Sequence, residues 1–380
     1  MNARSIKAAS IEELKSFVQS TMDEGIKPTL AICFFSMFDK REEACNFLGS
    51  KGIEVFGASS TGEFVGDEHE ETSLSMMLLD LNREYFKLVM KEFDQENTKD
   101  VAHEIGLIGK EAFDSPAFII SSSNTTIMAN EIINGMTDAA GIEATIIGGN
   151  AAYKELAHGN HVFDQKTYSH SGIIALILDE DKIVIQGEAI GGWKPIGTVR
   201  TVTKSVGNWV YTLDDKPALD ILLKFMGADI EEEFSDDLFY KVGNLHPLQV
   251  IQDDGTVVMR TPMLFDVKER AIIFAGAVLQ DAKVRFSMPP DFDVGDKVVK
   301  SAESVRDTVM PEAEALIIFS CVGRLSCLGP MITNEIEGLQ STWDVPMIGF
   351  FTFGEYGRIR NGETMYHNTT VSWVALKEKS

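Results

Sequence analysis

The sequence predicts a mixed α/β fold in which largely parallel β-sheets are covered by helices. A unit of strand, loop, helix, strand, glycine loop and strand occurs three times, with first strands near Leu30, Ala117 and Ala315. The chain between the first strand and the glycine loop has a similar length in each copy, and that length suits a parallel β-α-β crossover. The strands are continuous apolar runs, which are typical of sheets covered on both faces. We therefore predict repeated β-loop-α-β-loop-β units.

The first unit begins with Thr29–Phe35, an uncharged apolar run that predicts a buried strand. Arg41–Leu48 has the spacing of a helix, and Ile53–Phe56 predicts the strand that pairs with the first one. A glycine loop starts at Gly57, and Ser73–Asp80 predicts the closing strand. Strand and helix alternate here as they do in parallel α/β folds.

The second unit follows the same order. Ala117–Ile120 predicts its first strand, Asn130–Ala140 its helix, and Ala144–Ile147 its second strand. The glycine loop begins at Gly148, and Gly172–Leu178 is an apolar run that predicts the closing strand. This agreement with the first unit predicts that the two units have the same fold.

The third unit lies near the end of the chain. Ala315–Phe319 predicts its first strand, Ile332–Leu339 its helix, and Val345–Ile348 its second strand. The glycine loop at Gly349 is followed by Thr370–Leu376, an apolar run that predicts a strand. Because each glycine loop leads to a further strand and not directly into a long helix, the unit differs from a dinucleotide-binding fold.

Two modules are predicted, over residues 1–228 and 229–380. A chain of 380 residues exceeds what one hydrophobic core usually organises. The acidic segment Glu231–Asp237 is the best candidate for a boundary or a long surface loop. We therefore expect the repeated units to be divided between two modules.

Charge and composition exclude several classes of partner. The formal net charge is -24, from 58 acidic and 34 basic residues, and no basic cluster interrupts this excess. Nucleic acid and anionic membrane surfaces would be repelled. The N-terminus lacks the apolar core of a signal peptide, and no apolar run approaches the roughly 20 residues that span a bilayer. Four cysteines without C-x-x-C spacing fit a reducing compartment, so we expect a cytoplasmic protein.

Two loops share one sequence pattern. In each, a glycine is followed by four residues and then by Gly-Glu and an aromatic residue. They are FGASSTGEF at 56–64 and GFFTFGEYG at 349–357. Their hydroxyl and amide groups would converge on a polar ligand, and their glutamates would accept hydrogen bonds from an ammonium group. The alternative is a pair of tight turns whose hydroxyls satisfy their own backbone. The candidate ligand-binding residues in these loops are Ser59, Ser60, Thr61, Glu63, Thr352 and Glu355.

Polar residues also follow the first strands of the second and third units, at Ser121–Asn124 and Ser320–Arg324. Ligands usually bind at the carboxyl edge of a parallel sheet, where these segments are expected. Arg324 would clamp a carboxylate, unless it forms an ion pair on the surface. An amino acid would suit this site, with Arg324 at one end and Glu63 or Glu355 at the other. Further candidate ligand-binding residues are Asn150, Ser320 and Cys321.

Neither catalysis nor metal binding is predicted. Cys321 lacks a recognisable histidine partner, and an inert buried thiol is the simpler interpretation. His158, His161 and His170 have the spacing H-x2-H-x8-H, but no cysteine or carboxylate lies in register with them. The chain also contains no P-loop, dinucleotide fingerprint, nucleophile elbow or H-E-x-x-H motif.

These motifs resemble those of the FIST family, sensory proteins named for F-box and intracellular signal transduction. The matches occur in the order of the family from about Leu30 to the end of the chain, so the resemblance covers nearly all of it. The segments that carry the resemblance are Gly57–Glu63, Gly148–Gly149, Gly192–Gly197, Thr201–Thr203, Asn208, Pro217–Leu219, Phe319–Arg324, Gly349–Glu355 and Asn368–Thr370.

The resemblance implies a FIST N module followed by a FIST C module. It also implies a sensor that binds a small metabolite, such as an amino acid, between or within these modules. No cofactor is expected, although some members of the family use haem to sense nitric oxide, and a haem-based sensor is one alternative. A hydrolase or transferase using Cys321, or Glu63 with Glu355, is another.

Members of the family usually carry an output domain, for which no segment remains here. We therefore expect signalling through a separate protein, such as a kinase, a cyclic-di-nucleotide enzyme or a chemoreceptor, and leave homo-oligomer formation open. The second glycine loop, Gly148–Ala152, lacks the acidic residue often found after the glycine pair in the family. The resemblance therefore does not imply that this loop contacts a cation.

Overall fold

Three repeats of one α/β unit form the core of the protein. The computed structural model describes residues 1–66, 68–70, 73–123, 128–153, 159–226, 243, 245–360 and 362–379. In each repeat, a first strand precedes a parallel pair of strands, and a two-stranded hairpin and a closing strand follow that pair. The predicted mixed α/β fold built from repeated units is confirmed. The sheets were predicted to be largely parallel; they are mixed, and each six-stranded sheet contains one parallel pair.

The first two repeats are continuous in sequence. The first consists of β1 (Asn2–Ala8), α1 (Ile11–Asp23), β2 (Leu30–Phe35), α2 (Arg41–Ser50), β3 (Glu54–Ser59), β4 (Glu63–Val65), β5 (Glu68–Glu70) and β6 (Leu74–Asp80). The second consists of β7 (Phe86–Glu92), α3 (Thr98–Ala112), β8 (Pro116–Ser122), α4 (Ala129–Ala140), β9 (Ile146–Asn150), β10 (Val162–Phe163), β11 (Tyr168–Ser169) and β12 (Gly172–Asp179).

The third repeat starts with β13 (Ile183–Ile190) and is then interrupted by an insert. The insert contains β14 (Lys194–Val206), β15 (Trp209–Leu213), β16 (Lys216–Pro217), α5 (Ala218–Met226), β17 (Leu248–Ile251), β18 (Val257–Arg260), β19 (Pro262–Asp266), β20 (Ala271–Phe274) and β21 (Lys283–Met288). The repeat continues with α6 (Val294–Thr308), β22 (Ala315–Cys321), α7 (Val322–Leu328), α8 (Ile332–Trp343), β23 (Met347–Thr352), β24 (Glu355–Arg358), β25 (Thr364–His367) and β26 (Val371–Glu378).

Each repeat builds most of one six-stranded sheet. The strand orders are β1-β6-β2-β3-β10-β11, β7-β12-β8-β9-β24-β25 and β13-β26-β22-β23-β4-β5. The pairs β2/β3, β8/β9 and β22/β23 are parallel, and the closing strand of each repeat runs antiparallel beside the first member of its pair. Every residue of β2, β8 and β22 is buried, since both faces of each sheet are covered.

The hairpins are exchanged around the molecule. Hairpin β4–β5 of the first repeat pairs with β23 of the third, β10–β11 of the second pairs with β3 of the first, and β24–β25 of the third pairs with β9 of the second. Each repeat therefore completes the sheet of another repeat. This cyclic exchange links the three sheets through main-chain hydrogen bonds.

The inward faces of the three sheets share one apolar core. Phe34, Phe319 and Phe350 meet there, and the ring centroids of Phe34 and Phe350 are 4.3 Å apart. The outward face of each sheet packs on its own helices, which are α1 and α2 in the first repeat, α3 and α4 in the second, and α6 and α8 in the third. The repeats consequently depend on one another for their central packing.

The insert is a separate antiparallel sheet. Its strand order is β18-β17-β21-β14-β15-β20-β19, and α5 packs on it around Leu219 and Leu222. The acidic segment Glu231–Asp237, predicted as a module boundary, lies outside the described residues. Within the described part of the chain, no helix is both long and apolar enough to cross a membrane.

Candidate functional site

The candidate residues from the three repeats lie at one edge of the sheets, where the parallel strands end. Ser59 ends β3, Asn150 ends β9 and Thr352 ends β23, and all three are buried. The hairpin of another repeat pairs beside each of these strands. The carboxyl edge predicted from the sequence is therefore a buried polar region.

Glu63 is fully buried among hydroxyl groups of its own repeat. Ser60 Oγ donates to Glu63 Oε1 over 2.8 Å, while Ser73 Oγ and Ser36 Oγ donate to Oε2 over 2.6 and 3.1 Å. We call these four residues the Glu63 socket. Burial raises the pKa of Glu63 to about 7, although the hydroxyl groups favour the ionised form.

Glu355 has an equivalent environment in the third repeat. Thr352 Oγ1 donates to Glu355 Oε1, and Thr370 donates to Oε2 through its hydroxyl over 2.7 Å and through its backbone N–H over 3.2 Å. The Cys321 thiol also hydrogen-bonds this carboxyl group. We call these four residues the Glu355 socket. Burial raises the pKa of Glu355 to about 8.

The equivalent position in the second repeat is apolar. Glu63 pairs with Phe350, Glu355 with Gly149 and Val162 with Ala58, and this common register makes Val162 the counterpart of both glutamates. By the same registers, Ala151 of the second repeat takes the place of Ser60 and Thr352. Gly172 takes the place of Ser73 and Thr370, so two hydroxyl donors are missing. The acid and two of its donor side chains are thus absent together, while Ser123, at the position of Ser36, donates its hydroxyl to the carbonyl of Ser169 instead.

Between the second and third repeats, a hydrogen-bonded network connects buried side chains. Ser122 Oγ donates to Asn150 Oδ1 over 2.6 Å and lies 2.8 Å from Tyr356 OH. Asn150 Nδ2 and Asn368 Nδ2 each donate to Tyr366 OH over 3.2 Å. We call Ser122, Asn150, Tyr356, Tyr366 and Asn368 the polar layer.

Backbone strain occurs next to this layer. Thr369 has φ 56°, a left-handed conformation that is rare for a β-branched residue. Its carbonyl accepts a hydrogen bond of 3.0 Å from the buried indole of Trp193, and its neighbour Thr370 belongs to the Glu355 socket. Strained residues of this kind cluster at functional sites, so Thr369 is a further candidate.

Arg324 is buried in an ion pair within its own repeat. Its Nε donates to Glu335 Oε1 over 2.9 Å, its Nη2 contacts the other carboxylate oxygen, and its Nη1 donates to the carbonyl of Gly191 over 2.6 Å. Burial opposes the charge, but Glu335 more than compensates and raises the pKa of Arg324. In the structure, the carboxylate held by Arg324 therefore belongs to the protein.

The remaining hydroxyl candidates contact backbone groups. Ser59 Oγ accepts from the N–H of His161 over 2.8 Å, and Thr61 Oγ1 donates to the carbonyl of Phe351 over 3.2 Å. Both contacts join repeats that exchange a hairpin. Ser320 Oγ is buried without a hydrogen-bond partner among the described residues.

Cys321 is buried at the end of β22. Burial, together with the nearby Glu355 carboxylate, raises the pKa of its thiol well above the usual value. Nucleophilic catalysis requires the thiolate, which this environment disfavours. The hydrolase or transferase alternative therefore gains no support at Cys321.

Two of the histidines that the sequence singles out lie together. The rings of His161 and His170 have centroids 4.0 Å apart, and His161 stacks on Phe38; His158, like Asn124, lies outside the described residues. No group of three metal-ligating side chains occurs in the described segments.

Two surface cavities lie at the opposite edge of the sheets. The larger, of about 530 Å³, includes Lys27, Thr29 and Asp80 in its lining. Neither cavity is lined by a histidine. A haem needs a cleft that presents an axial ligand, so these cavities do not fit that cofactor.

Arg260, which ends β18 in the insert, is a residue that the sequence reasoning missed. Only 2% of it is exposed, and its Nη1 donates to the carbonyl of Tyr366 over 2.9 Å. A single arginine at the end of the apolar run Val257–Met259 was the available signal. Arg260 brings the insert into contact with the polar layer.

The chain is therefore a mixed α/β protein of three repeats, which exchange hairpins and of which two contain a buried glutamate socket. The FIST N domain matches residues 29–216, and the FIST C domain matches residues 218–358. The chain therefore belongs to the FIST family, whose domains are sensor domains of signal transduction. The change from one domain to the other falls inside the insert, immediately before α5. No curated protein matches the chain.

Proposed function

We propose that this protein is a small-ligand sensor whose ligand binds at the polar layer, and that binding is transmitted to a separate signalling protein. Its membership of the FIST family supports the sensor role. The observation that carries the assignment is the polar layer itself, where buried hydroxyl, amide and phenol groups from two repeats converge at the carboxyl edge of the sheets.

The exchanged hairpins supply a way to transmit binding. Asn150 belongs to β9, whereas Tyr356 and Tyr366 belong to the hairpin β24–β25 that pairs with β9. A ligand that took over hydrogen bonds of Asn150 or Tyr366 would alter how this hairpin sits against the second repeat. Because Arg260 of the insert donates to the carbonyl of Tyr366, the change in the hairpin would also reach the insert.

An amino acid remains the ligand class that we propose for the glutamate-bearing edge. Glu63 and Glu355 are the buried acids of this edge, and an ammonium group near either one would favour its ionised form. Arg324 is paired with Glu335, so we assign it a positioning role. A cytoplasmic kinase, cyclic-di-nucleotide enzyme or chemoreceptor is the proposed partner.

Binding measurements on two matched variants test this proposal. Amino acids and other small metabolites would be screened by thermal shift, and affinities measured by calorimetry. Tyr366→Phe removes the phenol to which Asn150 and Asn368 donate, and we expect it to weaken binding at least about tenfold, the equivalent of one lost hydrogen bond. Lys27→Ala, in the cavity at the opposite edge, should bind as the wild type does.

Two results would contradict the proposal. The first is a ligand that Tyr366→Phe binds normally and Lys27→Ala does not, since the opposite cavity would then be the site. The second is the absence of any binding in the screen. A Soret absorption band in the same purified sample would replace the proposal with the haem-based alternative.

A further inference from the structure

Thr369 is the one buried residue of the described chain, other than glycine, that has a positive φ angle. The five others are exposed and lie in turns or at the end of a helix; they are Asp214, Asp215, Arg270, Asp281 and Asp344. Thr369 is fully buried and has φ 56°. This conformation is unfavourable for a β-branched residue, so the surrounding structure must hold it in place.

Three hydrogen bonds hold the backbone around Thr369. Its carbonyl accepts the indole N–H of Trp193 over 3.0 Å, and its own N–H donates to the sulfur of Cys321. The N–H of Cys321 donates in turn to the carbonyl of the next residue, Thr370, over 3.0 Å. Trp193 immediately precedes β14, the first strand of the insert. The strained residue is therefore fixed by the third repeat and by the junction with the insert.

The neighbours of Thr369 belong to the two polar sites. Asn368 is part of the polar layer, where its Nδ2 donates to Tyr366 OH over 3.2 Å. Thr370 is part of the Glu355 socket, where its hydroxyl and its N–H both donate to Oε2. Each residue has only two soft backbone angles, so a change in φ at Thr369 must move one neighbour relative to the other.

The second repeat has neither the strain nor the acid. The strand registers make Ser171 the counterpart of Thr369. Ser171 has no positive φ angle, and the position of the glutamates holds Val162 in this repeat. Thr72, the counterpart in the first repeat, lies outside the described residues. In the second and third repeats, the left-handed conformation thus occurs only beside a buried carboxyl group.

The environment of Glu355 makes its charge sensitive to Thr370. The titratable or charged groups around it are Cys321 on β22, Arg324 on α7, and Tyr366 and His367 on β25. His367 is uncharged at neutral pH because burial lowers its pKa to about 4, and Arg324 is paired with Glu335. Thr370 supplies two of the four hydrogen bonds that favour the ionised form of Glu355. Burial favours the protonated form, so loss of these two bonds would raise the pKa further.

We propose that the segment Asn368–Thr370 couples the polar layer to the protonation of Glu355. This inference rests on the proposed function, since the ligand is the one that binds at the polar layer. A ligand that takes the Tyr366 phenol removes one restraint from the segment, and Thr369 relaxes to an extended conformation. The donors of the next residue then leave the carboxyl group, which takes up a proton from solvent.

This coupling also gives the ligand affinity a pH dependence. Linkage is reciprocal, so a ligand that promotes protonation of Glu355 binds more tightly where the group is already protonated. The pKa of Glu355 is about 8. The affinity should therefore fall as the pH rises above this value.

Substitution of the two groups that hold the segment tests the coupling without a ligand. Tyr366→Phe removes the phenol that accepts from Asn368, and Trp193→Phe removes the N–H that donates to Thr369. We expect each variant to raise the pKa of Glu355 by at least about 0.5, which is about threefold tighter proton binding. Urea unfolding of each protein with and without Glu355→Gln, across the pH range around 8, gives this pKa from the difference in stability.

Two controls separate the coupling from a general loss of stability. The indole of Trp343 also donates to a backbone carbonyl, that of Met310 over 2.8 Å, so Trp343→Phe removes a similar bond elsewhere. It should leave the pKa of Glu355 unchanged. Glu63 is an internal control, because the donors of its socket lie in the first repeat. Its pKa should be the same in every variant.

Thr369→Gly tests the strain itself. Glycine adopts a φ of 56° without strain, so the segment should no longer relax when one restraint is lost. In this background, Tyr366→Phe should change the pKa of Glu355 by less than about 0.2. This pair of variants also tests the coupling if Trp193→Phe fails to fold.

The outcomes distinguish this inference from the proposed function. The same pKa of Glu355 in wild type and in the Tyr366→Phe and Trp193→Phe variants would overturn the coupling and leave the sensor proposal intact. A full increase in the Thr369→Gly background would overturn the role of the strained residue. Absence of binding in the metabolite screen would contradict the proposed function, whereas these pKa values, measured without a ligand, would still decide whether the two sites are coupled.

Discussion

Glu63 in the first repeat and Glu355 in the third repeat are buried at equivalent positions, whereas the second repeat has Val162 there. Each glutamate is surrounded by hydroxyl donors, and the second repeat lacks both the acid and two of the donor side chains. The comparison shows that one backbone position accepts either an acid with three side-chain donors or an apolar residue beside which two of those donors are missing and the third, Ser123, bonds the backbone. A buried polar group is tolerated only where its hydrogen bonds are satisfied.

The two sockets also differ from each other. Each glutamate receives one backbone N–H, but Glu63 also receives three serine hydroxyl groups, while Glu355 receives two threonine hydroxyls and the thiol of Cys321. A thiol is a weaker donor than a hydroxyl. Burial raises both pKa values, to about 7 for Glu63 and about 8 for Glu355. Both carboxyl groups therefore change charge near neutral pH.

The largest expected effect is a loss of stability as the pH rises. Both carboxyl groups bind protons more tightly in the folded state than in the unfolded state, so the free energy of unfolding is highest below pH 4.5 and falls until the pH exceeds about 8. At about 1.4 kcal/mol for each pH unit between 4.5 and the two folded-state pKa values, the two groups together should contribute about 8 kcal/mol to this fall. Urea unfolding between pH 4.5 and 9 measures it.

The double variant Glu63→Gln/Glu355→Gln isolates this contribution. Each glutamine resembles the protonated acid, so most of the pH dependence should disappear, and the variant should be more stable than the wild type at pH 9. In the single variants, the fall should end near pH 7 when only Glu63 remains and near pH 8 when only Glu355 remains. Equal pH dependence in wild type and double variant would show that other groups cause it.

The next largest effect should come from placing an acid in the second repeat. Val162→Glu puts a carboxylate where Ala151 and Gly172 provide no hydroxyl donors. We expect a loss of about 3 kcal/mol at pH 8, as for an uncompensated buried charge, and a smaller loss at pH 5, where the acid is protonated. Val162→Gln is the neutral control, and its loss should not depend on pH. An equal loss for Val162→Glu at both pH values would contradict the comparison.

The smallest effect should follow the removal of one donor. Ser73→Ala deletes the hydroxyl that lies 2.6 Å from Glu63 Oε2. We expect a loss of about 1–2 kcal/mol at pH 9 and less at pH 5, because the hydroxyl favours the ionised acid. Ser75→Ala, two residues further on and inside β6, is the matched control, since Ser75 Oγ is buried without a hydrogen-bond partner among the described residues. If both variants lose the same stability, the Ser73 hydroxyl has no specific role.

Much of the repeat structure could be predicted from local sequence. The runs around Leu30, Ala117 and Ala315 are buried strands because their side chains are apolar on both faces. The two Gly-Glu loops were expected to be equivalent, and their glutamates do occupy equivalent positions in the sheets. Whether Ser59, Thr61, Asn150 and the other candidates bind a ligand stays a prediction.

The partners of these residues could not be predicted. The carboxylate beside Arg324 is Glu335, on the next helix of the same repeat, and the sequence contains many other acids that could have met it. Arg260 lies far along the chain from Tyr366 and Asn130, yet it contacts both. Long-range contacts of this kind depend on how the insert packs on the repeats, which no local pattern records.

The sequence by itself determined the three repeats, their strand and helix order, and the membership of the FIST family, because apolar spacing and glycine loops act over short stretches of chain. Only the tertiary structure decided that the hairpins are exchanged, that Val162 is the counterpart of Glu63 and Glu355, and that Arg260 lies buried against Tyr366. Strand edges pair through backbone groups that every residue carries, so the choice between edges depends on the packing of the whole protein.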